Sequence, residues 1–299
     1  MSHPFSSPQS HPLSPPALVG PLPEPDLSDR RTRRPSPWHF LLLPLSLVML
    51  TPLVWMVITA ISTPAEARRF PPALPTSIQW SNFSAVWTGS PFGHWLVNTA
   101  IVSVVVVASN VVLCSLAGYA FARLRFRGSG LAFMLLLMTL MVPFQVVLIP
   151  TLLIVKSFGL IDHLGALIVP NLVTAFGVFM MRQFFVALPP DLEEAARIDG
   201  ASRLGVFLKV LVPLMGPPLA TLAILTFLSI WNDFLWPLVA IQSPENMTMQ
   251  LGLSTFQGAH LTDWTLLMAA TLMSQLPVIV LFVAGQRVFV RSIASSGIK

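Results

Sequence analysis

Six runs of apolar residues, each close to the roughly 20 residues that a helix needs to cross a bilayer core, constrain this chain more than any other feature. They fall at about 38–61, 95–116, 131–154, 164–181, 214–230 and 264–284. Hydrophobic residues make up 54% of the 299 and charged residues 10%, where soluble domains carry about 25% charged. Backbone in lipid must satisfy its own hydrogen bonds, so such runs are read as helices. The expected fold class is therefore all-α, a polytopic membrane protein with six transmembrane helices. Pro44, Pro52, Pro143, Pro150, Pro170, Pro217, Pro218 and Pro277 lie inside the runs, where neighbouring helices can satisfy the carbonyls they free.

Residues 1–37 hold ten prolines and seven serines with almost no apolar run. Such a composition does not bury enough surface to offset chain entropy, so a disordered cytoplasmic tail is expected, with the transmembrane domain at 38–299. The tail ends in Arg30, Arg31, Arg33 and Arg34, and Ala65-Glu66-Ala67 follows the first run, as in a signal peptide. That run exceeds the roughly 7 to 15 residue core of such peptides, which favours an uncleaved anchor.

The net charge of +5 raises the question of nucleic acid, but the basic residues are scattered between apolar runs and form no reader motif. Topology accounts for them better, because cytoplasmic loops retain Lys and Arg. With six crossings and both termini inside, the inner side holds Arg30, Arg31, Arg33, Arg34, Arg123, Arg125, Arg127, Arg182, Arg197, Arg203, Lys209, Arg287, Arg291 and Lys299. Only Arg68, Arg69 and Lys156 fall outside. The outer segment 70–94, with Pro71, Pro72, Pro75, Trp80, Phe83 and Trp87, suits the headgroup level. The segment 233–263 has no Lys or Arg, and with Trp231, Phe234 and Trp236 it is expected to face an extracytoplasmic partner.

Between the fourth and fifth runs lies a polar island, 189–213, reading PPDLEEAARIDGASRLGVFLKVLVP. Asp191 and Glu194 have the spacing of an N-cap and capping box for a helix from 192 to about 198. Gly200 then breaks the chain at a tight turn, and Ser202 is placed to cap a second helix running to Pro213. The residues Glu193, Glu194, Ala195, Ala196, Asp199, Gly200 and Ala201, followed by Phe207 and Pro213, resemble the EAA loop of membrane subunits of bacterial ATP-driven importers. In that family the loop is a cytoplasmic coupling helix seated in a cleft of a separate ATPase subunit. Without its surroundings the same run also reads as an amphipathic hairpin on the membrane surface; its position between two runs favours coupling.

Further phrases extend the resemblance over 38–299. Gly118-Tyr119-Ala120-Phe121-Ala122-Arg123, Trp231-Asn232-Asp233-Phe234-Leu235-Trp236-Pro237-Leu238 and the closing Gly297-Ile298-Lys299 are similar, in this order, to those of maltose-transporter-type permeases of carbohydrate importers. The resemblance implies the type I permease fold of ABC importers, multi-pass in the bacterial cytoplasmic (inner) membrane. It also implies a second permease subunit as heterodimer partner, two ATP-binding subunits and an extracytoplasmic substrate-binding protein. The chain departs from the pattern in its long Pro-rich extension, at Thr63, where lysine is common, and at Ser292, where glycine is frequent.

No Gly-x4-Gly-Lys-Ser/Thr loop occurs, so no ATP cradle of that type is expected and no cofactor is assigned; ATP belongs to the partner subunits. Neither His-Glu-x-x-His nor Gly-x-Ser-x-Gly is present, the six histidines have no zinc spacing with Cys114, and catalysis is not expected. Cys114, within an apolar run, reads as a packing residue. Polar groups in or beside the runs, namely Asn98, Asn110, Gln145, Asn171, Asn232, Asp233 and Gln275, are the candidate translocation surface. Each amide also suits an interhelical hydrogen bond, and amides suit sugars because they offer donors and acceptors together. Sugar or oligosaccharide import is the leading reading. Polyols, glycerol phosphodiesters and amino-sugar compounds remain alternatives, as does a self-sufficient channel or ion-coupled carrier.

Overall fold

The computed structural model describes residues 38–69, 74–258 and 262–296. The expectations for the tail 1–37, for Phe70, Pro71 and Pro72, and for Gly297-Ile298-Lys299 lie outside the described residues. The chain divides into two units, 1–50 and 51–299. Within the first, the described residues are the opening turns of helix α1 (Trp38–Ala60), apolar and exposed, with the Ser46 hydroxyl donating to the Leu42 carbonyl at 2.8 Å.

The second unit is helical throughout its described residues apart from turns and one isolated antiparallel bridge between Gln257 and Thr262. After α1 come α2 (Pro64–Ala67), α3 (Ser81–Gly89), α4 (Phe92–Arg123), α5 (Ser129–Thr139), α6 (Phe144–Ser157) and α7 (Leu164–Ile168). A 3-10 turn, Val169–Asn171, leads to α8 (Ala175–Ala187) and α9 (Asp191–Ile198). Then α10 (Arg203–Val206), a π-turn over Phe207–Leu211, α11 (Val212–Leu214), α12 (Gly216–Trp231), α13 (Leu235–Ala240), α14 (Met249–Ser254) and α15 (Trp264–Ser296) complete it.

Among the described residues four stretches are long and apolar enough to cross a membrane without a sharp bend: 40–60, 92–123, 164–187, which is made of α7, the 3-10 turn and α8, and 264–283. The third and fifth apolar runs are not straight helices. The pair α5 and α6 bends by 103°, and the run 203–214 meets α12 at 80°, so there are six crossings if each bent pair counts as one. Proline is the reason for both bends. Pro143 stands extended before α6, and Pro217 and Pro218 occupy the first turn of α12, where a missing N–H is harmless. These prolines start helices, while Pro44, Pro52, Pro150 and Pro277 are truly internal.

The long helix α4 is the centre of the packing, against α8 on one side and α12 on another. Its approach to α8 requires glycine: a Cβ on Gly118 would lie 2.7 Å from Met181 Cβ and 2.8 Å from the Arg182 amide nitrogen. Small residues at such contacts let helices in lipid gain dispersion energy where no hydrophobic drive exists between them. One core cluster joins Tyr119, Met181, Phe185, Phe207 and Leu211. A second joins Val86, Phe92, Trp95, Met249 and Leu267, and a third Val106, Leu167, Trp236 and Leu251.

The described residues of the segment 233–263 are folded, with α13 and α14 among them. Trp231 and Trp236, expected to face an extracytoplasmic partner, are instead buried, their indole N–H groups donating to the Ser274 and Ala166 carbonyls at 3.3 and 3.0 Å. A buried indole needs such an acceptor, and both found one between helices; Phe234 alone of the three is exposed. Thr63, the departure after the first run, caps α2 in a reciprocal capping box with Glu66. Bonds from Thr76 and Thr63 hold the Glu66 carboxyl down at about 2.

Candidate functional site

The polar island forms a helical hairpin whose turn is a Schellman motif. The Ala201 N–H donates to the Ala196 carbonyl and the Gly200 N–H to the Arg197 carbonyl, both at 3.0 Å, with Gly200 at φ 82°. Only glycine enters that region at little cost. Ser202 caps α10, accepting from the Gly205 N–H at 3.1 Å. The expected capping box at Asp191 and Glu194 is absent: Pro190, with its φ fixed in the helical range, is the cap, and it has no side chain to bond. Asp191, Glu193 and Glu194 sit in the first turn of α9 instead, where acids complement the helix dipole.

The hairpin has two faces. Inward, Ala196 and Ala201 pack against the cluster of Tyr119, Phe185 and Phe207, and Glu193 Oε1 lies 2.9 Å from Arg123 Nε. That contact is charge pairing, since the N–H is not aligned on the oxygen. Arg123, the last residue of α4, also donates through Nη2 to the Phe185 carbonyl at 2.8 Å and to that of Leu188, the half-buried residue that caps the end of α8. One guanidinium therefore ties α4, α8 and α9 together. In the sequence Arg123 stands out as a cytoplasmic cation and as the close of the Gly118-to-Arg123 phrase, and neither signal gives its link to Glu193. Outward, Leu192, Glu194, Ala195, Arg197 and Asp199 are exposed, as is Ile198 at 86%, and nothing lies within 4 Å of a Cβ built on Gly200.

The candidate translocation residues separate into two groups. Asn110 is fully buried in α4 and spends its amide on the Asn171 carbonyl at 2.7 Å, while its oxygen accepts from Thr174 Oγ1 at 2.8 Å. Asn98 donates to the Glu245 and Met247 carbonyls at 2.7 and 3.1 Å, fastening the turn before α14. Gln145 is exposed on α6. By contrast, Asn171 borders a cavity of about 320 Å³ with Thr174, Thr226 and Ser229. Asn232 is exposed at the end of α12, with Gln250 Nε2 at 3.4 Å from its Oδ1.

Asp233 accepts from the Trp236 N–H at 3.4 Å, and burial pushes its carboxyl up. Beside it the buried Thr248 hydroxyl has no partner among the described residues. Gln275 lies on a separate cavity of about 430 Å³ shared with Phe234, Gln250, Gln257 and Trp264, of which only Phe234 was singled out from the sequence. Among the described residues no three His, Cys, Asp or Glu side chains come together as a metal site.

Residues 112–295 match the family described as binding-protein-dependent transport system inner membrane component. The chain belongs to this family. It is the membrane-spanning permease of an ABC importer, multi-pass in a bacterial membrane. Among its relatives is the arabinooligosaccharides transport system permease protein AraQ of Halalkalibacterium halodurans, 35% identical over 75% of this chain and 81% of that one. The sn-glycerol-3-phosphate transport system permease protein UgpE of Pectobacterium atrosepticum is 32% identical over 86% and 95%. The permease fold is shared with the crystal structure of a bacterial ABC transporter involved in the import of the acidic polysaccharide alginate. That match has TM-score 0.74 and 27% identity, covering 83% of this chain and 94% of that one.

Proposed function

We propose that this permease forms one half of the translocation path for a neutral sugar or oligosaccharide, and that it is driven by ATP hydrolysis on two separate ATP-binding subunits. A second permease subunit completes the path, and an extracytoplasmic binding protein delivers the substrate. Both termini and the α9–α10 hairpin lie on the cytoplasmic side. The observation that carries the coupling role is the hairpin's division of labour. Glu193, Ala196 and Ala201 hold it to the ends of α4 and α8, while Leu192, Ala195 and Ile198 leave an apolar strip without a partner among the described residues, flanked by Glu194, Arg197 and Asp199. A cleft in an ATPase subunit would cover that strip and pair those charges.

Substrate choice rests on charge. Among the described residues no Lys or Arg borders the cavities at Asn171, Asp233 and Gln275, and a phosphodiester or uronate would need a cation to offset its desolvation. Neutral hydroxyl-rich solutes, polyols included, fit this lining better. Proteoliposomes holding the chain with its co-expressed partner subunits provide the test. Arabinotriose uptake should require ATP on the hairpin side and binding protein on the other; uptake that persists without ATP contradicts the reading.

A further inference from the structure

We propose that the cavity between α14, α15 and Phe234 is a saccharide-binding subsite within this subunit, an inference that rests on the import reading and assigns it a place. The cavity holds about 430 Å³, within the range of roughly 300 to 1,000 Å³ typical of small-molecule sites. Three glutamines border it: Gln250, Gln257 and Gln275. The buried and half-buried amides of Asn82, Asn98, Asn110 and Asn171 are spent on backbone carbonyls, while those of the exposed Gln145, Gln183 and Gln242 have no side-chain partner among the described residues. Here Gln257 and Gln275 have no side-chain partner among the described residues, and Gln250 has only the long 3.4 Å contact to Asn232. Unspent amides converging on one cavity are a set of donors and acceptors waiting for a ligand that has both, which is what a ring of hydroxyls offers.

The remaining walls match the rest of a sugar. Trp264, 47% exposed, and Phe234, 40% exposed, border the same space, and flat aromatic faces pack well on the C–H face of a pyranose or furanose. Trp264 is held by its neighbour: Asp263 Oδ1 accepts from the Thr265 hydroxyl at 2.8 Å and from the Leu266 N–H at 3.2 Å, fixing the first turn of α15. The hydroxyls of Ser254 and Thr271 are satisfied within their own helices, so the glutamines carry the recognition. Among the described residues no charged side chain borders the cavity. An anion would gain nothing there, and a neutral saccharide loses nothing.

A thiol on the cavity wall tests this in the full reconstituted complex. Ser254→Cys is nearly isosteric, and the chain's own Cys114 is fully buried, so a maleimide reads the new position. Arabinotriose or maltotriose should slow labelling at least about fivefold, while glycerol 3-phosphate at the same concentration leaves it unchanged. Adding Gln275→Leu or Trp264→Ala should weaken that protection about tenfold, the effect of losing one good polar contact or ring platform. Protection by glycerol 3-phosphate alone, or by neither saccharide, overturns the subsite. ATP-dependent uptake by the parent complex is measured alongside. Saccharide uptake without protection removes the subsite and leaves the import reading, whereas protection without ATP-dependent uptake removes the import reading and leaves the subsite.

Discussion

Arg123 and Glu193 are 15% and 17% exposed, enough burial that losing one partner strands the other. Breaking a buried pair costs about 3 to 5 kcal/mol, and Arg123 also satisfies carbonyls at the end of α8. Thermal unfolding of the solubilised protein should therefore show Arg123→Ala destabilised by about 3 kcal/mol, with Glu193→Ala added to it recovering part of the loss. A change under about 0.5 kcal/mol would mean that the hairpin is held by its alanines alone. Asp162 plays a similar role on another surface. It adopts φ 61° and accepts from the Gln242 and Ser243 N–H groups at 2.9 and 2.8 Å and from the Ser243 hydroxyl. Those bonds, the Ser243 hydroxyl first, hold its carboxyl at about 2, below the ordinary 3.8. A lowered carboxyl stabilises the fold above its unfolded value, and the benefit is lost as pH falls from about 4 through about 2. Asp162→Asn should remove that acid-dependent component from the unfolding curve; an unchanged pH profile would exclude it.

At the scale of elements, the two bent pairs and the hairpin set the directions in which the chain can transmit movement. Gly200→Ala should cost on the order of 1 kcal/mol, because only the backbone conformation resists it and no neighbour lies near the new Cβ. Gly118→Leu should instead part α4 from α8 and leave little folded protein, read as loss of monodisperse material. Equal behaviour of the two variants would mean that the close approach at Gly118 is not needed. The contrast also marks how far the sequence was legible. The apolar runs, the Gly200 turn and the Ser202 cap were readable because length, left-handed backbone and capping chemistry are local. The bends at Pro143 and Gly216 were not, since a hydropathy run records apolar character and not direction. The cap at Pro190 is not legible either, because an acid-to-acid spacing looks the same one residue out of register and points to Asp191. Trp231 and Trp236 look like partner-facing aromatics until the carbonyls of Ser274 and Ala166 are in place, and no local pattern reveals an acceptor on another helix. The same holds for the convergence of Gln250, Gln257 and Gln275, which is made by tertiary packing.

For the whole molecule, the α9–α10 hairpin and the exposed Thr88 of α3 are expected to lie on opposite sides of the membrane. Thr88→Cys should react with an impermeant maleimide in intact cells, and Ser202→Cys only in inside-out vesicles. Reaction of Ser202→Cys from outside would invert the arrangement. The central claim is that the hairpin passes force between ATP hydrolysis and the spans, and it is tested most directly by measuring ATPase activity and uptake in parallel on reconstituted Gly200→Leu complexes. A leucine there strains the left-handed turn and enlarges the outward surface, away from the cavities near Asn171 and Gln275. The expected result is an assembled complex that still engages the binding protein but loses substrate-stimulated ATP hydrolysis and uptake together. Stable assembly with normal stimulation and normal uptake would contradict the claim and leave the hairpin as a surface feature only.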